Sequence, residues 1–177
     1  MTKMLYHFSS TYHLPWIFES GELRPGQNSI AGFPNPDFLW ATNEARGDGT
    51  CTAHRFYKSG RTWLVRFTAD AEDFFPWKDI TRKSSPWTIA QIARLETLAE
   101  GKSDPADWWC RADPLPLHRV ISIEAKSFCA SIWRTVEHNF EVIRVPGKRV
   151  LKTTIGNYVF SSSQETGPHG QKSYEIL

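Results

Sequence analysis

Four side chains in this sequence have types and spacings that could bind a small ligand and act on it. His7 lies in a short apolar run before a helical segment, and Trp40 lies in the apolar run 37–42. Glu137 and Glu141 are an even number of residues apart, so they share one face of an extended chain, and Glu141 precedes an apolar stretch. An imidazole can hydrogen-bond a ligand, an aromatic ring can stack on a flat group, and a carboxylate can stabilise developing positive charge.

The elements that must position these side chains are mostly short strands. The sequence predicts a strand that carries His7, a helix that ends at Gly21, and a second helix that begins at Ser85 and Pro86 and ends at Gly101. Apolar and β-branched residues predict further strands at 37–42, 62–68, 118–124, 140–145, 149–153 and 157–160. We therefore expect an α+β fold, mostly antiparallel, with two principal helices.

Composition and charge indicate one globular domain. The chain has 177 residues, of which 40% are hydrophobic and 23% are charged, which is enough for a buried core. We expect one domain over 1–160, followed by a Ser/Gly-rich, partly flexible segment over 161–177. A net charge of +2 does not by itself indicate nucleic acid.

Cysteine and histidine usage predicts neither a disulfide framework nor a metal site. No two cysteines form a CxxC pair, and the histidines have no metal-ligand spacing. No apolar run is long enough for a signal peptide or a membrane span, so we expect a cytoplasmic protein without membrane contacts. The cysteines are Cys51, Cys110 and Cys129.

Three segments, in order along the chain, resemble the ADP-ribosyltransferase-like superfamily, in the branch that includes diphtheria-toxin-like enzymes and tRNA 2'-phosphotransferases. Leu5–His7 followed by Leu14–Gly21 is similar to the family's first strand and the helix after it. Phe38–Thr42 followed by Cys51–His54 is similar to its "GIYFA" strand and the small-residue segment that follows, with Trp40 in place of a tyrosine. Asn139–Val145 is similar to the late strand that begins with the catalytic glutamate.

This resemblance implies an ADP-ribosyltransferase-like domain with a split antiparallel sheet and NAD as its substrate. His7 would bind the ribose hydroxyls, and Trp40 would stack on nicotinamide. Glu141, or alternatively Glu137, would stabilise the oxocarbenium-like charge as nicotinamide leaves. An arginine is expected at the pyrophosphate, and the candidates are Arg24, Arg46 and Arg55. The acceptor of ADP-ribose would be a protein or a nucleic acid, as for toxins and effectors of phage–host conflict.

Other interpretations of the same residues remain open. His7 and Trp40 could be core residues, and Glu141 could face solvent or pair with Arg144 or Lys148. The alternative function is a non-catalytic module that binds a nucleotide, ADP-ribose or a nucleic acid on the same fold. A relative of the tRNA 2'-phosphotransferases is a third possibility and would need several arginines near His7. The pair Trp108-Trp109 has no counterpart in the family pattern and indicates either packing or the wall of a cleft.

Overall fold

The computed structural model describes residues 3–47, 49, 50, 62–83 and 85–165. The α-helices of this part are α1 (Leu14–Ser20) and α2 (Ile89–Ala99). Its strands are β1 (Met4–Ser10), β2 (Glu22–Leu23), β3 (Leu39–Thr42), β4 (Leu64–Asp70), β5 (Phe75–Pro76), β6 (Trp108–Arg111), β7 (Leu115–Pro116), β8 (Ser122–Lys126), β9 (Arg134–Thr135), β10 (Glu141–Val145), β11 (Lys148–Ile155) and β12 (Tyr158–Glu165).

The expected α+β class with mostly antiparallel sheets is confirmed. The pairings β1–β3, β3–β6, β5–β6, β8–β9, β10–β11 and β11–β12 are all antiparallel. Of the described helices, neither is long and apolar enough to cross a membrane.

The chain divides into two compact units, and the division passes through β1 and β4. The first unit is drawn from Met1–His7, Leu23–Cys51 and Phe67–Ile121, and its strand order is β5-β6-β3-β1-β4. The second is drawn from Phe8–Glu22, Thr52–Arg66 and Ser122–Leu177. It contains the order β1-β4-β8-β9 and a separate sheet, β10-β11-β12. The short strands β2 and β7 pair with each other.

The core of the first unit is dominated by aromatic rings. Helix α2 contributes Ile92, Leu95 and Ala99 to this core. The Nε1–H of Trp77 donates to Glu96 at 2.8 Å, which satisfies a polar group that would otherwise be buried without a partner. We call the rings the aromatic cluster; its members are Phe33, Phe38, Trp40, Phe75, Trp77, Trp87 and Trp108.

In the second unit, α1 packs on the sheet of β10–β12. Phe18 of α1 is buried, as are Leu151 and Ile155 of β11. Arg149 of β11 pairs with Glu19 of α1, and both residues are half-buried. The apolar spacing within α1 therefore matches one face of β11.

The sequence predicts the end of α1 and misplaces the start of α2. Gly21 ends α1 with a left-handed φ of 72°, and its N–H donates to the carbonyl of Ile17 at 3.0 Å. Helix α2 was expected to begin at Ser85 and Pro86, but its N-cap is Thr88. Thr88 and Gln91 form a reciprocal capping box, whereas Ser85 accepts from the N–H of Trp87 at 3.2 Å in the turn before it.

Two predicted strands also have other bounds. The strand expected at 118–124 is displaced to Ser122–Lys126, because Leu117–Arg119 form a 3-10 turn. The last strand was expected at 157–160 and instead continues to Glu165, where it pairs with Lys148. Ser161–Ser163 therefore belong to the sheet although they are polar. Strand pairing depends on main-chain hydrogen bonds, and these three residues pair with β11.

We expect Thr88→Ala to lower the free energy of unfolding by about 1 kcal/mol, because the side chain caps the N–H of Gln91. Urea denaturation checks this value. The matched control is Thr97→Ala, at an exposed position in the same helix. Since alanine is the better helix former, that variant should be neutral or slightly more stable. Equal effects of the two substitutions would contradict the cap.

Candidate functional site

His7 is fixed by a hydrogen bond across two strands. Its Nδ1 lies 2.7 Å from the main-chain carbonyl oxygen of Trp40. Because a carbonyl oxygen only accepts, Nδ1 carries the proton and Nε2 is the acceptor in the neutral ring. The ring centroid lies 6.0 Å from that of Phe67 on β4. The imidazole is thus held in one tautomer by the sheet itself.

Burial lowers the pKa of His7 below its ordinary value of 6.5, and the hydrogen bond with the Trp40 carbonyl opposes this effect only in part. The residue is half-buried. At neutral pH the ring is therefore neutral. A neutral ring with a protonated Nδ1 can accept a hydrogen bond from a hydroxyl at Nε2.

The indole of Trp40 belongs to the aromatic cluster. Its ring centroid lies 5.2 Å from Trp77, 5.9 Å from Trp108, 5.8 Å from Phe38 and 6.4 Å from Trp87. Its N–H donates to the carboxylate of Asp37, and burial raises the pKa of Asp37 although this bond and the N–H of Phe38 oppose the rise. Trp40 is half-buried, and four aromatic rings pack around it.

The strand register places Trp40 and His7 on opposite faces of the sheet. Tyr6 of β1 lies directly opposite Thr42 of β3, so these two side chains share a face. Side chains alternate along a strand, so Trp40 lies on the face of Thr42, whereas His7 lies on the other face with Ala41. The structure therefore brings His7 to the main chain of Trp40 and not to its indole.

A tryptophan on the same face of the sheet as His7 belongs to β6. Trp109 pairs with Ala41, whereas Trp108 pairs with Thr42 and faces the aromatic cluster. The ammonium of Lys3, an exposed residue, lies 4.7 Å from the centroid of the Trp109 ring. Lys3 and His7 are an even number of residues apart in an extended segment, which agrees with their placement on one face. The sequence leaves the pair Trp108-Trp109 open between packing and the wall of a cleft, and strand alternation places one ring on each face.

The two candidate carboxylates belong to the second unit, and both are exposed. Glu141 is the first residue of β10 and lies opposite Lys152 of β11. Glu137 lies in the irregular segment before β10. Asn139 holds this segment against β11, because its side-chain amide donates to the carbonyls of Glu137 at 2.8 Å and Thr154 at 3.0 Å.

The three candidate arginines are distributed along the first part of the chain. Arg24 follows β2 and is exposed, and Arg46 is exposed in the turn after β3. Arg55 lies outside the described residues, as do Cys51 and His54.

Two other chemistries find little support in this part of the chain. Among the described residues, no group of three His, Cys, Asp or Glu side chains could hold a metal ion. Burial, with a smaller effect from the charge of Asp37, raises the pKa of the Cys110 thiol well above its ordinary value. Cys110 is therefore a protonated core residue and not a nucleophile.

Comparison of the chain with known protein families, with curated proteins and with solved structures finds no match.

We expect the stability of the wild-type protein to decrease as the pH falls below about 6.5, partly because of His7. A lowered pKa in the folded state means that the unfolded chain binds the proton more tightly, so acid favours unfolding. His7→Asn keeps a donor for the Trp40 carbonyl and does not titrate. Urea midpoints at pH 7.5 and pH 5.5 should therefore differ less for the variant. An equal pH dependence for both proteins would contradict the shift.

Proposed function

We propose that the protein is an NAD-using ADP-ribosyltransferase. The observation that carries this proposal is the state of His7: a neutral imidazole on the first strand, held through Nδ1, with Nε2 as a hydrogen-bond acceptor. Such a group can orient a sugar hydroxyl by accepting its hydrogen bond. Because the imidazole is neutral, it adds no positive charge beside the ribose, on which positive charge develops as the leaving group departs. The resemblance of the segments around His7, Trp40 and Glu141 to this superfamily adds support to the proposal.

The proposed reaction breaks the bond between the ribose C1' and the nicotinamide nitrogen of NAD. The electron pair leaves with nicotinamide, which becomes neutral, and positive charge develops on the ribose. A nucleophilic group of the acceptor then forms the new bond at C1' and loses its proton. His7 would hold the ribose, and Glu141 or Glu137 would stabilise the positive charge.

The arrangement of His7 and Trp40 favours one alternative, a binding module without catalysis. The indole of Trp40 packs in the aromatic cluster and lies on the face opposite His7. The stacking position that the resemblance assigns to Trp40 is therefore not adjacent to the imidazole. A module that holds a nucleotide or ADP-ribose through His7 requires no such stacking and no carboxylate.

The acceptor in the proposed reaction is a protein or a nucleic acid, and the described surface does not favour one over the other. The second unit carries lysines and arginines on β11, such as Lys148 and Lys152, beside glutamates such as Glu141. This mixture of charges gives no single-sign surface of the kind that nucleic-acid binding usually requires.

Release of free nicotinamide from NAD by the purified protein tests the proposal. We expect turnover by the wild type, with cell extract supplying protein and nucleic-acid acceptors. Glu141→Gln, or else Glu137→Gln, should reduce the rate about 100-fold or more, because loss of one electrostatic stabiliser costs roughly 3 kcal/mol of barrier.

The matched control is Glu165→Gln, at another exposed glutamate in the sheet of β10–β12, which should leave the rate unchanged. Circular dichroism establishes that each variant is folded. No release by the wild type with any acceptor would overturn the proposal. Calorimetric binding of NAD or ADP-ribose without release would then support the binding module.

A further inference from the structure

Trp109 differs in its hydrogen bonding from Trp40, Trp77 and Trp108, three other indoles of the first unit. The N–H of Trp77 donates to Glu96, that of Trp108 donates to Ser103 at 2.5 Å, and that of Trp40 donates to Asp37. The Nε1 of Trp109 is buried and has no hydrogen-bond partner within the described ranges. Buried polar groups are nearly always paired, so an unpaired donor calls for an explanation, and one explanation is that the indole takes part in binding.

The surroundings of Trp109 also suit a ligand. In one row of paired residues across β1, β3 and β6, the side chains on this face are His7, Ala41 and Trp109. The side chain between the imidazole and the indole is thus only a methyl group. We call the three side chains His7, Trp109 and Lys3 the His7 face. It combines a hydrogen-bond acceptor, an aromatic ring with an unpaired donor, and a cation.

The position of Lys3 indicates what the ring of Trp109 attracts. An ammonium 4.7 Å from the centroid is a cation–π contact, and an indole is the side chain that forms this contact best. Lys3 is exposed and its stem is flexible, so a flat cationic ring can take its place over the indole. The displaced ammonium would then remain close enough to pair with an anionic group of the same ligand.

We propose that the His7 face binds the pyridinium nucleotide half of NAD, with Trp109, and not Trp40, as the stacking aromatic residue and Lys3 as the partner of a phosphate. This inference rests on the function proposed above and specifies its substrate site. The pyridinium ring of NAD is flat and positively charged, and its ribose hydroxyls suit His7 Nε2. When the glycosidic bond breaks, nicotinamide becomes neutral and loses its cation–π attraction, which favours its release.

Calorimetric binding of NAD and of NADH to the full chain without acceptor tests this inference, because the two ligands differ only in the charge and shape of the nicotinamide ring. We expect the wild type to bind NAD about 3- to 30-fold more tightly than NADH, the range that a cation–π contact supplies. Trp109→Leu should bring this ratio close to one. Trp109→Phe keeps a ring of lower cation affinity and should give an intermediate ratio.

The matched control is Trp87→Phe, which changes an indole of the aromatic cluster outside the His7 face and should keep the wild-type ratio. If Trp109→Leu fails to fold, Trp109→Phe and Lys3→Met keep the test decisive. Lys3→Met removes the phosphate partner, which NAD and NADH would share, so it should weaken both ligands and leave the preference for NAD.

The possible failures of the two proposals are distinguishable. A preference for NAD that depends on Trp109, without release of nicotinamide, would leave the inference standing and overturn catalysis. Release of nicotinamide with a ratio that Trp109 variants do not change would overturn the inference alone. Failure of the wild type to bind either ligand would overturn both.

Discussion

The alternation of side chains along β1, β3 and β6 is the constraint on which the candidate site depends. Neighbouring residues on a strand face opposite sides, so one register decides two environments at once. Trp40 and Trp108 face the aromatic cluster, whereas Ala41 and Trp109 face the side of His7. A shift of β6 by one residue would exchange the two tryptophans. The register of this pairing therefore determines both the core and the chemistry of the first unit.

The stability of the aromatic cluster depends on the pairing of its polar atoms as well as on its apolar area. Burial of one large aromatic side chain contributes roughly 1.5–3 kcal/mol, but a buried indole N–H without an acceptor costs about 1–3 kcal/mol and can cancel this gain. Asp37, Glu96 and Ser103 each remove that cost for one indole. The buried Nε1 of Trp109, on the other face of the sheet, lacks such an acceptor in the described part of the chain.

The class of fold could be predicted from the sequence, and the arrangement of the site could not. Gly21 and the apolar spacing before it define α1, because helix signals are local. The start of α2 was misplaced because Ser85 and Thr88 both resemble caps, and only the reciprocal bond with Gln91 distinguishes them. The face of the sheet that Trp40 and Trp109 each occupy depends on cross-strand register, which pairs residues that are distant in sequence. A motif comparison could thus identify Trp40 as a notable aromatic residue without showing which face it occupies.

The hydrogen bond between His7 and the Trp40 carbonyl links these two residues, although their side chains do not line one pocket. The indole of Trp40 anchors its own main chain by packing in the aromatic cluster on one face. Its carbonyl, fixed in this way, selects the tautomer of His7, whose ring lies on the other face. The core thereby positions the imidazole through the sheet. Because the anchor is the packing of a large ring, a smaller residue at position 40 would move the carbonyl and thereby affect His7. A ligand on the His7 face need not touch the indole of Trp40 at all.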